Sequence, residues 1–113
     1  MNDNYKPYIP QGISEIIDQL GFMMLSSPTF IDKLGYFREQ NIDTVFFQLN
    51  QGLRLIQKKL GDDKYQALVA MSDKMRAHFE ADHENEGGIE ITENLRAGSQ
   101  IINEMQALLR KRK

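Results

Sequence analysis

The sequence contains no cysteine, so neither disulfide bonds nor thiolate ligands and nucleophiles can contribute to its fold or chemistry. No apolar run approaches the ~18 residues that a membrane-spanning helix needs. The first twelve residues lack the basic start and the apolar core of a secretory signal. We therefore expect a cytoplasmic protein without a membrane partner.

The chain also has little excess charge, with a net charge of −2 at pH 7. A general nucleic-acid binder depends on many cationic contacts to phosphates, so direct nucleic-acid binding is not expected. The terminal "RKRK" is typical of a helix end, where cations complement the helix dipole. No phosphate-binding loop and no Gly-x-Ser-x-Gly elbow is present. We expect no enzymatic activity and no cofactor.

Apolar residues recur at spacings of three and four along most of the chain, and no alternating strand pattern interrupts them. This periodicity is typical of amphipathic helices. A chain of this length buries roughly 65% of its unfolded surface, which is enough for one core. The sequence predicts a single all-α domain over residues 1–113, a bundle of about five helices.

Capping residues and glycines predict the helix boundaries. Ser27 followed by Pro28 is a favourable helix start, Asn41 is another, and Gly61 is a favourable helix end. Gly98 should allow its helix to approach a neighbour closely. The predicted elements are an extended arm at 1–11 and helices at about 13–26, 28–34, 42–60, 63–79 and 92–109.

The connection between the last two helices, residues 80–93, is the most acidic part of the chain. It holds six carboxylates in fourteen positions, with no Lys or Arg between Arg76 and Arg96. A loop can be acidic simply because it lies in water, but a cluster of like charges also creates a negative potential that steers and docks a cationic partner. The six carboxylates belong to Glu80, Asp82, Glu84, Glu86, Glu90 and Glu93.

A metal site is an alternative function for this connection. Counted from Asp82, the acids and Gly87 follow the spacing of an EF-hand calcium loop over residues 82–93. Glutamates at the third and fifth positions and the lack of a second such loop count against calcium. His78 and His83 lie about 140° apart around a helix, which counts against zinc. A calcium-binding helical module and a structural or adaptor bundle stay open as alternatives.

Four segments together carry a resemblance to a known family: "YKPYIPQGISEIIDQLGFMMLSSPTF", "GYFREQNIDTVFFQLNQGL", "MSDKMRAHFEAD" and "AGSQIINEMQALL". The chain resembles, over nearly its whole length, the small helical immunity proteins of bacterial contact-dependent growth inhibition systems. This resemblance implies a cytoplasmic protein that binds the C-terminal toxin domain of its cognate partner and blocks the active site. Such toxins are commonly nucleases, especially RNases. No family motif names the contact residues.

The acidic connection agrees with that implication. A nuclease cleft is lined with Lys and Arg, and an inhibitor with clustered carboxylates would associate with it quickly. Nanomolar affinity corresponds to about −12 kcal/mol, so apolar anchors are needed as well, and aromatic side chains are the usual ones. The predicted anchors are Tyr5 and Tyr8 in the arm and Tyr36 and Phe37 in the loop before Asn41. We expect a monomer that forms a 1:1 complex.

Overall fold

The computed structural model describes residues 7–32, 34–35 and 39–111, and within them it contains helices, turns and no strand. The predicted all-α class is confirmed. None of the described helices is both long and apolar enough to cross a membrane. The helices are α1 (Ile13–Ser26), α2 (Ile42–Leu55), α3 (Gln57–Leu60), α4 (Asp62–Ala81) and α5 (Glu93–Arg110).

Local capping chemistry sets several helix ends where the sequence predicted them. The Asn41 side chain accepts a hydrogen bond from the backbone N–H of Thr44 at 3.0 Å, and the Thr44 hydroxyl accepts one from the N–H of Asn41 at 2.9 Å. This reciprocal capping box satisfies N–H groups that have no partner within the helix. Gly61 adopts a φ of 82° between α3 and α4, a backbone conformation that favours glycine.

The predicted short helix after Ser27 is wrong. Ser27 ends α1 instead of starting a helix, with its backbone N–H bonded to the carbonyl of Met23, and residues 30–32 have no regular structure. The Ser27–Pro28 peptide bond is cis, and Phe30 has a φ of 64°. A bulky residue rarely adopts this left-handed conformation, and it cannot continue a right-handed helix. The Phe30 side chain is fully buried in the core.

The predicted helix over residues 42–60 is interrupted at Ile56. The backbone N–H of Ile56 bonds to the carbonyl of Leu53, three residues earlier, at 3.2 Å. A tightened turn of this kind separates α2 from the short α3. The apolar stripe nevertheless faces the interior as predicted, because Leu49, Leu53 and Ile56 are all buried.

The most extensive helix–helix contact joins α4 and α5, which form an antiparallel hairpin. Helices α1 and α2 pack against this hairpin and against each other. Phe79 of α4 lies in the centre, with its ring edge-on to Phe30 at a centroid distance of 5.5 Å. Gly98 of α5 lies against the same ring, since a Cβ atom at this position would lie only 2.3 Å from Cε1 of Phe79. The predicted close approach at Gly98 is confirmed.

Candidate functional site

The acidic connection of the α4–α5 hairpin is held in place by the side chain of Asp82. This residue follows the last residue of α4, and its Oδ2 accepts hydrogen bonds from the Thr92 hydroxyl and the Asn85 side-chain amide, both at 2.9 Å. Thr92 in turn caps α5 by accepting from the backbone N–H of Leu95 at 3.0 Å. The end of one helix is therefore tied to the start of the next through one carboxylate.

Asn85 holds the far side of the same connection. Its amide nitrogen donates to the carbonyl of Glu90 at 2.7 Å, and its amide oxygen accepts from the Glu90 backbone N–H at 3.0 Å. Both Asp82 and Asn85 are buried. The loop backbone thus has a fixed course even though most of its side chains point into solvent.

Two glycines shape the turn between Asn85 and Glu90. Gly87 and Gly88 have φ values of 72° and 64°, which glycine adopts without steric cost. A Cβ atom at Gly88 would lie 3.0 Å from the backbone oxygen of Ser27. The acidic connection therefore lies directly against the end of α1, beside Pro28.

The six predicted carboxylates fall into two groups. Glu80 forms an ion pair with Arg76 at 3.1 Å, and Asp82 is enclosed by its hydrogen bonds. The other four are exposed, and no residue of the described ranges 7–32, 34–35 and 39–111 forms an ion pair or hydrogen bond with their carboxylates. These four belong to Glu84, Glu86, Glu90 and Glu93.

Two isoleucines missed by the sequence reasoning lie among these carboxylates. Ile89 is 81% exposed and Ile91 is 70% exposed. Both lie in a polar loop away from the hydrophobic core, and neither belongs to the apolar stripe of a helix. Apolar residues outside any periodic pattern are the signal that could have identified them. We use the name loop surface for Glu84, Glu86, Ile89, Glu90, Ile91 and Glu93.

The loop surface borders a groove of about 590 Å³ along the end of α4. The groove walls are mostly polar or acidic, with Ala81 and Ile89 as the apolar residues, and the others include Asp82, His83, Glu84, Glu86 and Glu90. Carboxylates that line a concave surface focus a negative potential there. The arrangement is suited to holding cationic side chains beside an apolar contact.

Arg76 precedes this surface on α4, and its side chain is already engaged. It forms ion pairs with Asp43 and Glu80, and its guanidinium lies 5.6 Å from the centroid of the Phe46 ring. Partial burial lowers the pKa of Arg76, but the hydrogen bonds to the two carboxylates outweigh that effect and raise it overall. Arg76 therefore neutralises Glu80 and leaves the loop surface anionic.

The carboxylates do not converge as an ion cage requires. Among the described residues, no three Asp, Glu or His side chains gather as a metal site. Asp82 is the first position of the proposed calcium loop, and its carboxylate already accepts hydrogen bonds from Asn85 and Thr92. His78 contacts Asn94 at 3.0 Å and His83 contacts the carbonyl of Glu80 at 3.1 Å, so the two imidazoles have separate partners.

The structure does not bring Tyr8 to the loop surface. Its side chain is 56% exposed, and its hydroxyl donates a hydrogen bond to Glu15 in the first turn of α1. That end of α1 lies beside Lys64 and Lys111, at the end of the α4–α5 hairpin opposite the acidic loop, and α4 is about 30 Å long. The other predicted aromatic anchors, Tyr5, Tyr36 and Phe37, lie outside the described residues.

The Tyr8 contact also changes two pKa values. The hydrogen bond from Tyr8, assisted by one from the backbone N–H of Gln11, holds the pKa of Glu15 below its ordinary value. The same bond to Glu15 raises the pKa of the Tyr8 hydroxyl. Tyr8 therefore joins the described part of the arm to α1, and the Pro10 ring packs it against Gly52 of α2.

Comparisons of the chain with protein-family models, with curated proteins and with solved structures gave no match.

Proposed function

We propose that this chain is an immunity protein that binds the C-terminal toxin domain of a cognate bacterial growth-inhibition system. It covers the active site of that domain with the loop surface and performs no chemistry of its own. The partner is a basic nuclease, because a cleft that attracts a phosphate backbone is lined with Lys and Arg. Binding takes place in the cytoplasm as a 1:1 complex.

The observation that carries this proposal is the make-up of the loop surface. Its four exposed carboxylates have no cationic partner among the described residues, and two exposed isoleucines stand between them. Exposed like charges in one connection repel one another, so the arrangement is unfavourable for the isolated protein. A cationic partner relieves that repulsion when it binds.

The two kinds of side chain have separate roles in the proposal. The carboxylates act at a distance and set the rate of association. Ile89 and Ile91 act on contact, since full burial of one such side chain contributes about 1.5–3 kcal/mol. The carboxylates therefore raise the association rate and select a cationic partner, and the isoleucines lower the dissociation rate.

Co-expression tests the proposal directly. We expect a toxin domain to be encoded immediately upstream of this chain. That domain should arrest growth when it is produced alone, and co-production of this chain should restore growth. Loss of protection, or a lack of binding between the two purified proteins, rejects the proposal.

Charge reversal then locates the interface. Glu84→Lys combined with Glu86→Lys should slow association about tenfold or more and flatten its dependence on salt. Asp73→Lys combined with Glu104→Lys changes the net charge equally at exposed positions of α4 and α5, and serves as the matched control. If both pairs slow association equally, the effect is one of net charge and the loop surface lies outside the interface.

A further inference from the structure

A second concavity adjoins the groove of the loop surface, and it has no role in the contacts proposed for that surface. It lies between the segment after α1, the start of α2 and the last turns of α4, with a volume of about 340 Å³. We use the name anchor cavity for it. Its lining is mostly apolar and includes Pro28, Ile31, Ile42, Phe79, Glu80 and His83.

The inner wall of the anchor cavity is fixed by core packing. Phe79 lines this wall, is fully buried and packs edge-on against Phe30 at a centroid distance of 5.5 Å. On its other side the ring lies against Gly98, with no space for even one added methyl group. The Phe79 ring therefore has no space to move away from the cavity, and the depth of the cavity is fixed.

The size of the cavity limits what it can hold. Sites for small ligands range over roughly 300–1,000 Å³, so about 340 Å³ lies at the lower limit. That volume has room for one bulky apolar side chain. Pockets of this kind, apolar inside and polar at the rim, are where the anchor residues of protein interfaces insert.

The surroundings of the cavity define the chemistry of its occupant. His83 lines both the anchor cavity and the neighbouring groove, so the two are adjacent. Beyond His83 the groove presents Glu84, Glu86 and Glu90. An occupant complementary to both therefore has an apolar side chain next to cationic ones.

We infer that the anchor cavity receives one apolar side chain of the cationic partner, and that Lys or Arg residues beside it in the partner's chain lie in the acidic groove. The identity of that partner as a toxin domain rests on the proposed function. This contact is additional to those of the loop surface. The element recognised in the partner is then a short segment with an apolar side chain between basic ones.

Substitution of the cavity rim tests the contact with the toxin domain. Ile31 is 55% exposed, so Ile31→Asn should leave the fold intact while removing an apolar wall. Leu34→Asn is the matched control, because Leu34 is 80% exposed in the same connection and does not line the cavity. We expect Ile31→Asn to speed dissociation about tenfold with little change in association, since changes at apolar anchors act mainly on the off-rate. The control should bind as the wild type does.

The outcomes separate this inference from the proposed function. If the wild type does not bind the toxin domain, the proposed function fails. If the wild type binds and Ile31→Asn dissociates no faster than Leu34→Asn, the anchor cavity is not part of the interface and only the inference is overturned.

A second experiment does not depend on the toxin. The ¹⁵N-labelled protein is titrated with N-acetyl-Lys-Phe-Arg-amide, with the same peptide carrying Ala in place of Phe, and with N-acetyl-Glu-Phe-Glu-amide. The first peptide should shift the amide resonances of Thr29, Ile31 and Ile42, and the alanine peptide should shift only those of the acidic loop. Equal shifts with both basic peptides, stronger shifts with the acidic peptide, or shifts that appear on concentrating the protein alone, as a second copy of the chain would cause, overturn the inference.

Discussion

The contact between Gly98 and Phe79 makes the sharpest test of the fold. In Gly98→Ala the new methyl group would lie 2.3 Å from Cε1 and 2.5 Å from Cζ of the ring, whereas carbon atoms in contact are about 3.5–4.0 Å apart. Overpacking of a core costs about 1–3 kcal/mol. Replacing a helical glycine by alanine returns about 0.5–1 kcal/mol. The 2.3 Å overlap with a fixed ring places the cost at the upper end of its range, so we expect a net loss of about 2 kcal/mol in the free energy of unfolding.

A second helical glycine supplies the matched control. Gly21 lies within α1, and a Cβ atom there would meet only Nε2 of Gln106, at 3.7 Å, which is ordinary contact. Gly21→Ala should therefore raise the free energy of unfolding by about 0.5–1 kcal/mol. Urea unfolding followed by far-UV circular dichroism measures both variants, with the m-value checking that the unfolded states are comparable.

Opposite signs for the two variants are the expected result. If Gly98→Ala is as stable as the wild type or more stable, then α4 and α5 are not as close as described. The double variant Gly98→Ala with Phe79→Leu adds a further check, because a smaller side chain admits the new methyl group. Its loss should be less than the sum of the single losses by about 0.5–3 kcal/mol.

Two further predictions concern the acidic loop and the arm. Asp82→Ala removes the acceptor of the Thr92 hydroxyl and of one N–H of the buried Asn85 amide, and it should cost about 1–3 kcal/mol in urea unfolding. An unchanged midpoint would mean that the loop does not depend on this carboxylate. Tyr8→Phe should raise the pKa of Glu15 towards its ordinary value, because the Tyr8 hydrogen bond is the main cause of its lowering. Because the pKa of Glu15 is lowered in the folded protein, its hydrogen bond with Tyr8 stabilises the fold at a pH above the ordinary pKa of a glutamate. This stabilisation is lost as the pH falls through the pKa of Glu15 in the folded protein. Wild type and Tyr8→Phe should therefore become equally stable in acid. An NMR titration of the Glu15 carboxyl measures the shift, and identical curves for the two proteins would contradict it.

The sequence was sufficient wherever a structural signal is local. The predicted cap at Asn41 and the predicted helix end at Gly61 each depend on residues three or four positions apart. Such signals act through the backbone of their own helix. The apolar stripes also predicted the buried faces, since periodicity follows from helix geometry.

The failure after Ser27 has a tertiary cause. Ser27 and Pro28 are a favourable helix start when considered alone, but Phe30 is held between Phe46 and Phe79, with centroid distances of 5.9 and 5.5 Å. These rings come from segments 16 and 49 positions further along the chain. Core packing of one side chain therefore overrides the local preference, and no pattern around position 27 shows this.

The sequence identified the acidic connection but not which carboxylates are exposed. The ion pair of Glu80 with Arg76 follows from their spacing of four on a helix and was predictable. The enclosure of Asp82 was not, because it depends on how the chain returns to bring Thr92 beside the end of α4. The exposure of Ile89 and Ile91 was missed because helical periodicity says nothing about apolar residues that lie outside a repeating pattern.

Phe79 belongs both to the hydrophobic core and to the inner wall of the anchor cavity. A screen for variants that hold the partner longer should therefore return changes at Phe30 or at the neighbours of Gly98, which no partner atom touches. Affinity and thermal stability would then shift together in such variants, because the packing on one side of the Phe79 ring sets the depth of the cavity on its other side.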